Sequence, residues 1–172
     1  ASAEATLVWL LEQNSDPDSV FYRKVDTEHI GISGHSQGGV AVFNAVSEQP
    51  HGNLYTCAVS LSPTEWAVAM AIGLTYDPSK MSVPALILAA PEKDVITPEG
   101  VRNLSDTIPA DTVTALRPGM DHGKMLYSAD GYVTAWFMWQ LRGDREAARA
   151  FIGEYPEILN NVMYQDARIN LK

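Results

Sequence analysis

One cysteine, Cys57, stands in the 172-residue chain. A lone cysteine rules out any internal disulfide and any cysteine-based zinc site. Basic residues are scarce too: 12 Lys and Arg face 21 Asp and Glu, a formal charge of −9. With no Lys/Arg cluster, the chain is a poor partner for nucleic acid or anionic lipid. Long hydrophobic runs are also lacking. The uncharged apolar stretch Trp66–Leu74 reaches nine residues, whereas a helix that crosses a bilayer takes about 20. No repeat, low-complexity tract or linker divides the sequence. The composition is 46% hydrophobic and 19% charged, which excludes disorder and fits one globular domain over residues 1–172.

Two periodicities alternate along the chain. Short apolar runs bounded by turn residues lie at His29–Ser33, Tyr55–Leu61, Pro84–Ala90 and Thr112–Leu116. Their length and β-branched content suit strands buried on both faces of a parallel sheet. Helical spacing marks Ala5–Leu11, Gly38–Ser47, Pro98–Thr107 and Tyr132–Leu141, with a last helix expected over Arg145–Ile152 between Asp144 and Gly153. Thr97-Pro98 offers a capping residue followed by proline at the first helical position. Strand and helix in this order predict an α/β fold, a mostly parallel sheet with helices on both faces and right-handed crossovers. Residues 64–82 interrupt the alternation and read as a crossover segment over the carboxyl ends of the strands, where such folds bind ligands. A plain core helix is the competing reading.

The sharpest local feature is Gly34-His35-Ser36-Gln37-Gly38-Gly39, between a strand and a helix. G-x-S-x-G in that context is a nucleophile elbow: a very tight turn puts serine at its tip, above the sheet. Flanking glycines leave room for the two arms of the turn. The following helix aims its positive end at the serine, and the Gln37 amide is free to bind a developing oxyanion. The ordinary alternative is a glycine-rich turn with a capping serine.

A serine hydroxyl needs a base. Of four histidines, His29 starts the strand far from Ser36, His35 neighbours the serine, and His51 follows the helix to the bottom of the sheet. His122 remains, in the flexible stretch Pro118–Gly123 after the last strand. The base in turn needs a carboxylate. Asp94, just past the strand Pro84–Ala90, gives the order Ser36, Asp94, His122, which is that of the α/β-hydrolases. Glu92 competes with it. Asp121 is too close in sequence to reach the back of the ring.

The elbow, the run Val83-Pro84-Ala85-Leu86-Ile87-Leu88 leading to Asp94, and the histidine stretch together resemble the α/β-hydrolase superfamily. Val133-Thr134-Ala135-Trp136-Phe137 and Leu141-Arg142-Gly143-Asp144 resemble the C-terminal helix of dienelactone-hydrolase-like and cutinase/polyesterase-like esterases. The resemblance runs from Ala1 to about Tyr155. It implies the C-terminal part of a hydrolase fold, with Ser36 as nucleophile, Asp94 as acid, His122 as base and Gln37 as one oxyanion amide. Trp66 falls where such esterases place a substrate-lining aromatic, with core packing the other reading. No metal or organic cofactor is implied, and the expected partner is a small neutral ester.

Such enzymes draw a second oxyanion amide from a loop that would precede Ala1. The resemblance therefore implies that further strands, supplied by an upstream segment of the same enzyme, complete the fold. A prolyl-oligopeptidase-type serine peptidase shares the elbow and stays open as an alternative, as does a catalytically silent fold used for binding. Trp136, Phe137, Trp139 and Cys57 are expected in the core.

Overall fold

The computed structural model describes residues 2–172. The chain opens with helix α1 (Ser2–Ser15), then strand β1 (Ile30–His35) and helix α2 (Gln37–Ser47). Strand β2 (Tyr55–Leu61) leads to the short helix α3 (Trp66–Ala71), and strand β3 (Ala85–Ala89) to helix α4 (Pro98–Thr107). Strand β4 (Thr112–Leu116) precedes α5 (His122–Ser128), α6 (Asp130–Arg142), α7 (Arg145–Ala148), α8 (Glu157–Asn160) and strand β5 (Gln165–Asn170). The protein is an α/β structure with one five-stranded sheet of order β1-β2-β3-β4-β5. The first four strands are parallel, and β5 pairs antiparallel to β4.

Strand periodicity divides the core. In β3, Ala85, Ile87 and Ala89 face the cluster holding Leu7 of α1, Phe43 of α2 and Leu104 of α4. Leu86 and Leu88 face the opposite cluster, around Met125 of α5, Trp136 of α6, Phe151 and Ile158 of α8. Both sides of β3 and β4 are fully covered, the condition that gives a parallel strand its unbroken apolar run. Trp136 and Phe151 meet edge to face at 5.1 Å, each wholly buried. Burying a large apolar side chain contributes about 1.5–3 kcal/mol, so this pair anchors one helical layer. Cys57 is fully buried, and burial pushes its thiol up to about 12, which removes it as a nucleophile. Among the described residues no helix is long and apolar enough to cross a membrane.

Several expectations need correction. Strand β1 begins one residue later than His29 and runs on through His35, because Gly34 and His35 stay paired with Ser60 and Leu61. The strand Pro84–Ala90 is shorter, Ala85–Ala89, and α2 begins one residue earlier, at Gln37. The helix expected over Arg145–Ile152 stops at Ala148. Its continuation tightens: the amides of Arg149, Ala150 and Phe151 bond the carbonyls three residues back, the carbonyls of Arg149 and Ala150 accept from the amides of Glu157 and Ile158, and Phe151 is buried in the core. Strand β5 was not expected at all. Gln165-Asp166-Ala167-Arg168-Ile169-Asn170 is mostly polar because it is an edge strand, with one side in solvent.

The crossover expected over residues 64–82 connects the end of β2 to the start of β3. It contains α3 and a 3-10 turn at Pro78–Lys80. Its second half lies along α2: Tyr76 stacks on Phe43 at 5.2 Å, and Asn44 donates to the carbonyl of Thr75.

Candidate active site

Four segments meet beyond the carboxyl ends of the adjacent parallel strands β1 to β4. The first is the turn into α2. Ser36 has φ 62° and ψ −123°, backbone angles that an L-residue adopts only under strain. Gly34 makes the turn possible, since a Cβ there would sit 2.1 Å from the carbonyl oxygen of Gly38. Gly38 itself has open space at its Cβ position, so of the two flanking glycines only Gly34 is required by contact. Gly39 is required next: a Cβ would meet Ser60 Oγ at 2.8 Å and Pro63 Cα at 3.0 Å.

Ser36 occupies the N-cap position of α2, yet its hydroxyl caps nothing. The Oγ–H instead donates to His122 Nε2 at 2.9 Å. That disposes of the capping-serine reading for this turn. Gln37 opens α2, and among the described residues no group accepts from its N–H, which leaves a free donor on the residue after Ser36.

His122 is not in a flexible stretch: it is the first residue of α5. Asp121 caps that helix by accepting from the Lys124 amide at 2.9 Å. The same bond lowers the Asp121 carboxyl below its ordinary range, and Asp121 is thereby committed to the helix rather than to the imidazole. The His122 amide donates to the carbonyl of Lys93 at 3.1 Å, tying the two loops together. Lys93 adopts φ 53° to present that carbonyl.

Through this tie Asp94 reaches the ring. His122 Nδ1–H donates to Asp94 Oδ1 at 2.8 Å. The Asp94 side chain is 1% exposed and that of His122 27%. Burying a carboxylate costs several kcal/mol after relaxation, and three further donors offset it here. The Val95 amide reaches Oδ1 at 2.7 Å, the Ala90 amide reaches Oδ2 at 2.8 Å, and Ser62 Oγ–H reaches Oδ2 at 2.6 Å. Glu92 is exposed and bonds to neither His122 nor Ser36.

Ser62 is the residue that sequence reasoning missed. It follows β2, is wholly buried, holds φ 42°, and passes its own amide to the carbonyl of Leu88 at 2.8 Å. A serine after a strand carries no signal by itself; only its place beside Asp94 gives it meaning. A hydrogen bond to a charged group is worth about 1.5–3 kcal/mol. Ser62→Ala is therefore expected to lower the unfolding free energy by about that amount in urea titration. An unchanged midpoint would show that the hydroxyl does not support the carboxylate.

The remaining histidines are far from Ser36 Oγ in role. His29 pairs with Asp26, and His51 pairs with Glu4. His35 makes no bond to Ser36 Oγ; its ring lies against that of His122, centroids 4.5 Å apart. Trp66 opens α3 and is 54% exposed, which excludes core packing for it. It sits two residues beyond Thr64, whose amide bonds the carbonyl of Ser36 at 3.4 Å. Val68 and Met70 within this helix, and Ile72 just after it, are likewise exposed. Trp136 is fully buried, as expected, while Phe137 and Trp139 are partly buried against the same cluster. Among the described residues no group of three His, Cys, Asp or Glu side chains could hold a metal ion.

The arrangement can move a proton from Ser36 to His122 and hold the resulting imidazolium against a buried carboxylate. Compared with known proteins, the chain matches no family model and no curated sequence.

Proposed function

We propose that the protein is a serine-dependent hydrolase of carboxylic esters, built as part of an α/β-hydrolase-type fold and acting through an acyl-enzyme. The supporting observation is the continuous relay Ser36 Oγ, His122 Nε2, His122 Nδ1, Asp94 Oδ1, with bonds of 2.9 and 2.8 Å, at a serine freed from capping. In this reading His122 takes the Ser36 proton while Oγ attacks the acyl carbonyl carbon. The Gln37 amide binds the oxygen that gains charge. The imidazolium of His122 then protonates the departing alcohol, and Asp94 keeps the imidazole in the tautomer with Nδ1 protonated. Water, deprotonated by the same base, cleaves the acyl-enzyme and regenerates Ser36.

The net charge of −9 disfavours anionic substrates, so neutral esters are the substrate class proposed. The exposed Trp66, Val68, Met70 and Ile72 offer an apolar surface for their acyl or alcohol portion.

The test offers short p-nitrophenyl esters and Pro-containing peptide amides side by side. A higher kcat/KM for the esters is expected. Preference for the amide would assign the protein to the serine peptidases. A folded protein that cleaves neither would be a binding fold.

A further inference from the structure

We propose that His35 is a positioning residue for His122, holding the base over Ser36 through a hydrogen bond to its main chain. This rests on the serine-hydrolase reading. His35 occupies the variable position before the nucleophile, where the turn itself places no demand on the side chain. Its Nε2 lies 2.7 Å from the carbonyl oxygen of His122. A carbonyl only accepts, so Nε2 carries the proton and His35 is the donor. The two imidazole centroids are 4.5 Å apart at an interplanar angle of 32°, so one face of His122 is covered by His35.

The need for such a hold follows from the other contacts. Asp94 holds the His122 ring at Nδ1 and Ser36 Oγ meets it at Nε2, but neither bond fixes the main chain that carries the ring. The His122 amide is tied to Lys93, in a loop, and α5 is only seven residues long. His35 supplies what these lack: it belongs to β1, paired with Leu61 of β2, and is joined directly to Ser36. The nucleophile and the hold on its base thus share one rigid frame. No flexible connection intervenes to change the Ser36–His122 distance. A small misplacement of reacting groups is enough to cost about 100-fold in rate.

Two substitutions separate the donor from the ring. His35→Phe keeps a flat ring and loses the N–H. His35→Gln keeps an N–H near the same reach and loses the ring. Both are assayed by steady-state kinetics on p-nitrophenyl acetate, in a protein whose dependence on Ser36 has been established with Ser36→Ala. Cooperative urea unfolding serves as the check on folding. The expected result is a kcat about 10-fold lower for His35→Phe with KM within about twofold, and recovery to within about threefold of the parent for His35→Gln.

The far-downfield proton resonance of His122 Nδ1–H should broaden in the Phe variant and persist in the Gln variant. Full kcat in His35→Phe, or an equal loss in both variants, would overturn the proposal, since the donor would then decide nothing. Should the Phe ring prevent folding, His35→Leu removes the donor instead. If that also fails, His35→Gln alone decides: retained kcat and resonance support the role, and a 10-fold loss overturns it. Turnover surviving in Ser36→Ala would remove the serine-hydrolase reading itself, whatever the His35 variants do.

Discussion

Ser36→Ala is expected to abolish labelling by a fluorophosphonate probe and to lower kcat for p-nitrophenyl acetate by about 10⁶-fold, equivalent to about 8 kcal/mol of transition-state stabilisation. The loss is large because the relay works as a unit. His122 and Asp94, left in place, have no nucleophile to activate, and only binding and oxyanion stabilisation remain. The fold should survive. Among the described residues Ser36 Oγ bonds only to His122 Nε2, and alanine tolerates φ 62° no worse than serine does. Ser36→Gly should go further, inactive yet more stable than Ser36→Ala. Glycine occupies positive φ freely, and relieving strain of about 1–3 kcal/mol exceeds its entropic cost of about 0.5–1 kcal/mol. Turnover unchanged in Ser36→Ala would end the nucleophile assignment.

The second large effect is expected at Asp94. Asp94→Asn should reduce kcat by about 10⁴-fold, somewhat less than loss of the nucleophile. Four donors converge on this carboxylate: Ser62 Oγ–H, two amides and His122 Nδ1–H. An asparagine NH₂ therefore faces a donor whichever way it turns. Toward Oδ2 it meets the Ala90 amide; toward Oδ1 it meets the Val95 amide and forces the wrong tautomer on His122. Leaving a buried donor unsatisfied costs about 1–3 kcal/mol, so Asp94→Asn should also destabilise the fold, as measured by urea unfolding. Glu92→Gln, at an exposed carboxylate with no bond to His122, should alter neither quantity. A crippled Glu92→Gln beside a nearly normal Asp94→Asn would mean that the acid has been misassigned.

Much of this architecture is readable because it is local. The tight turn at Ser36 needs Gly34 within two residues, since a Cβ there would meet the Gly38 carbonyl at 2.1 Å. Strands buried on both faces carry their burial in their own composition, as Ala85–Ala89 and Thr112–Leu116 do. Helix α4 begins where Thr97-Pro98 indicates, with Thr97 Oγ1 accepting from Gly100. Where the structure departs from the sequence pattern, hydrogen bonds that the pattern does not carry decide the outcome. The α-helix after Asp144 ends early because the amides of Arg149, Ala150 and Phe151 bond the carbonyls three residues back, and the Arg149 and Ala150 carbonyls then take the amides of Glu157 and Ile158. His122 is helical rather than loose because Asp121 caps α5 and Lys93 receives the His122 amide. Strand β5 escaped notice because an edge strand keeps one side in water and so carries no apolar signature.

The sequence alone determined the α/β class, the parallel core strands, the elbow at Ser36 and the short list from which its partners come. Each depends on interactions within a few residues, or on burial that imposes a period on the chain. The tertiary structure brings the partners together and adds two more. Asp94 rather than Glu92 meets His122, Ser62 supports Asp94 from 32 residues away, and His35 holds His122 from 87 residues away. Those contacts exist because β1, β2, β3 and β4 lie side by side in one direction, which gathers the loops after them at one end of the sheet. Strand order is a property of the whole packed chain, and no residue type or spacing near Ser62 or His35 encodes their contacts.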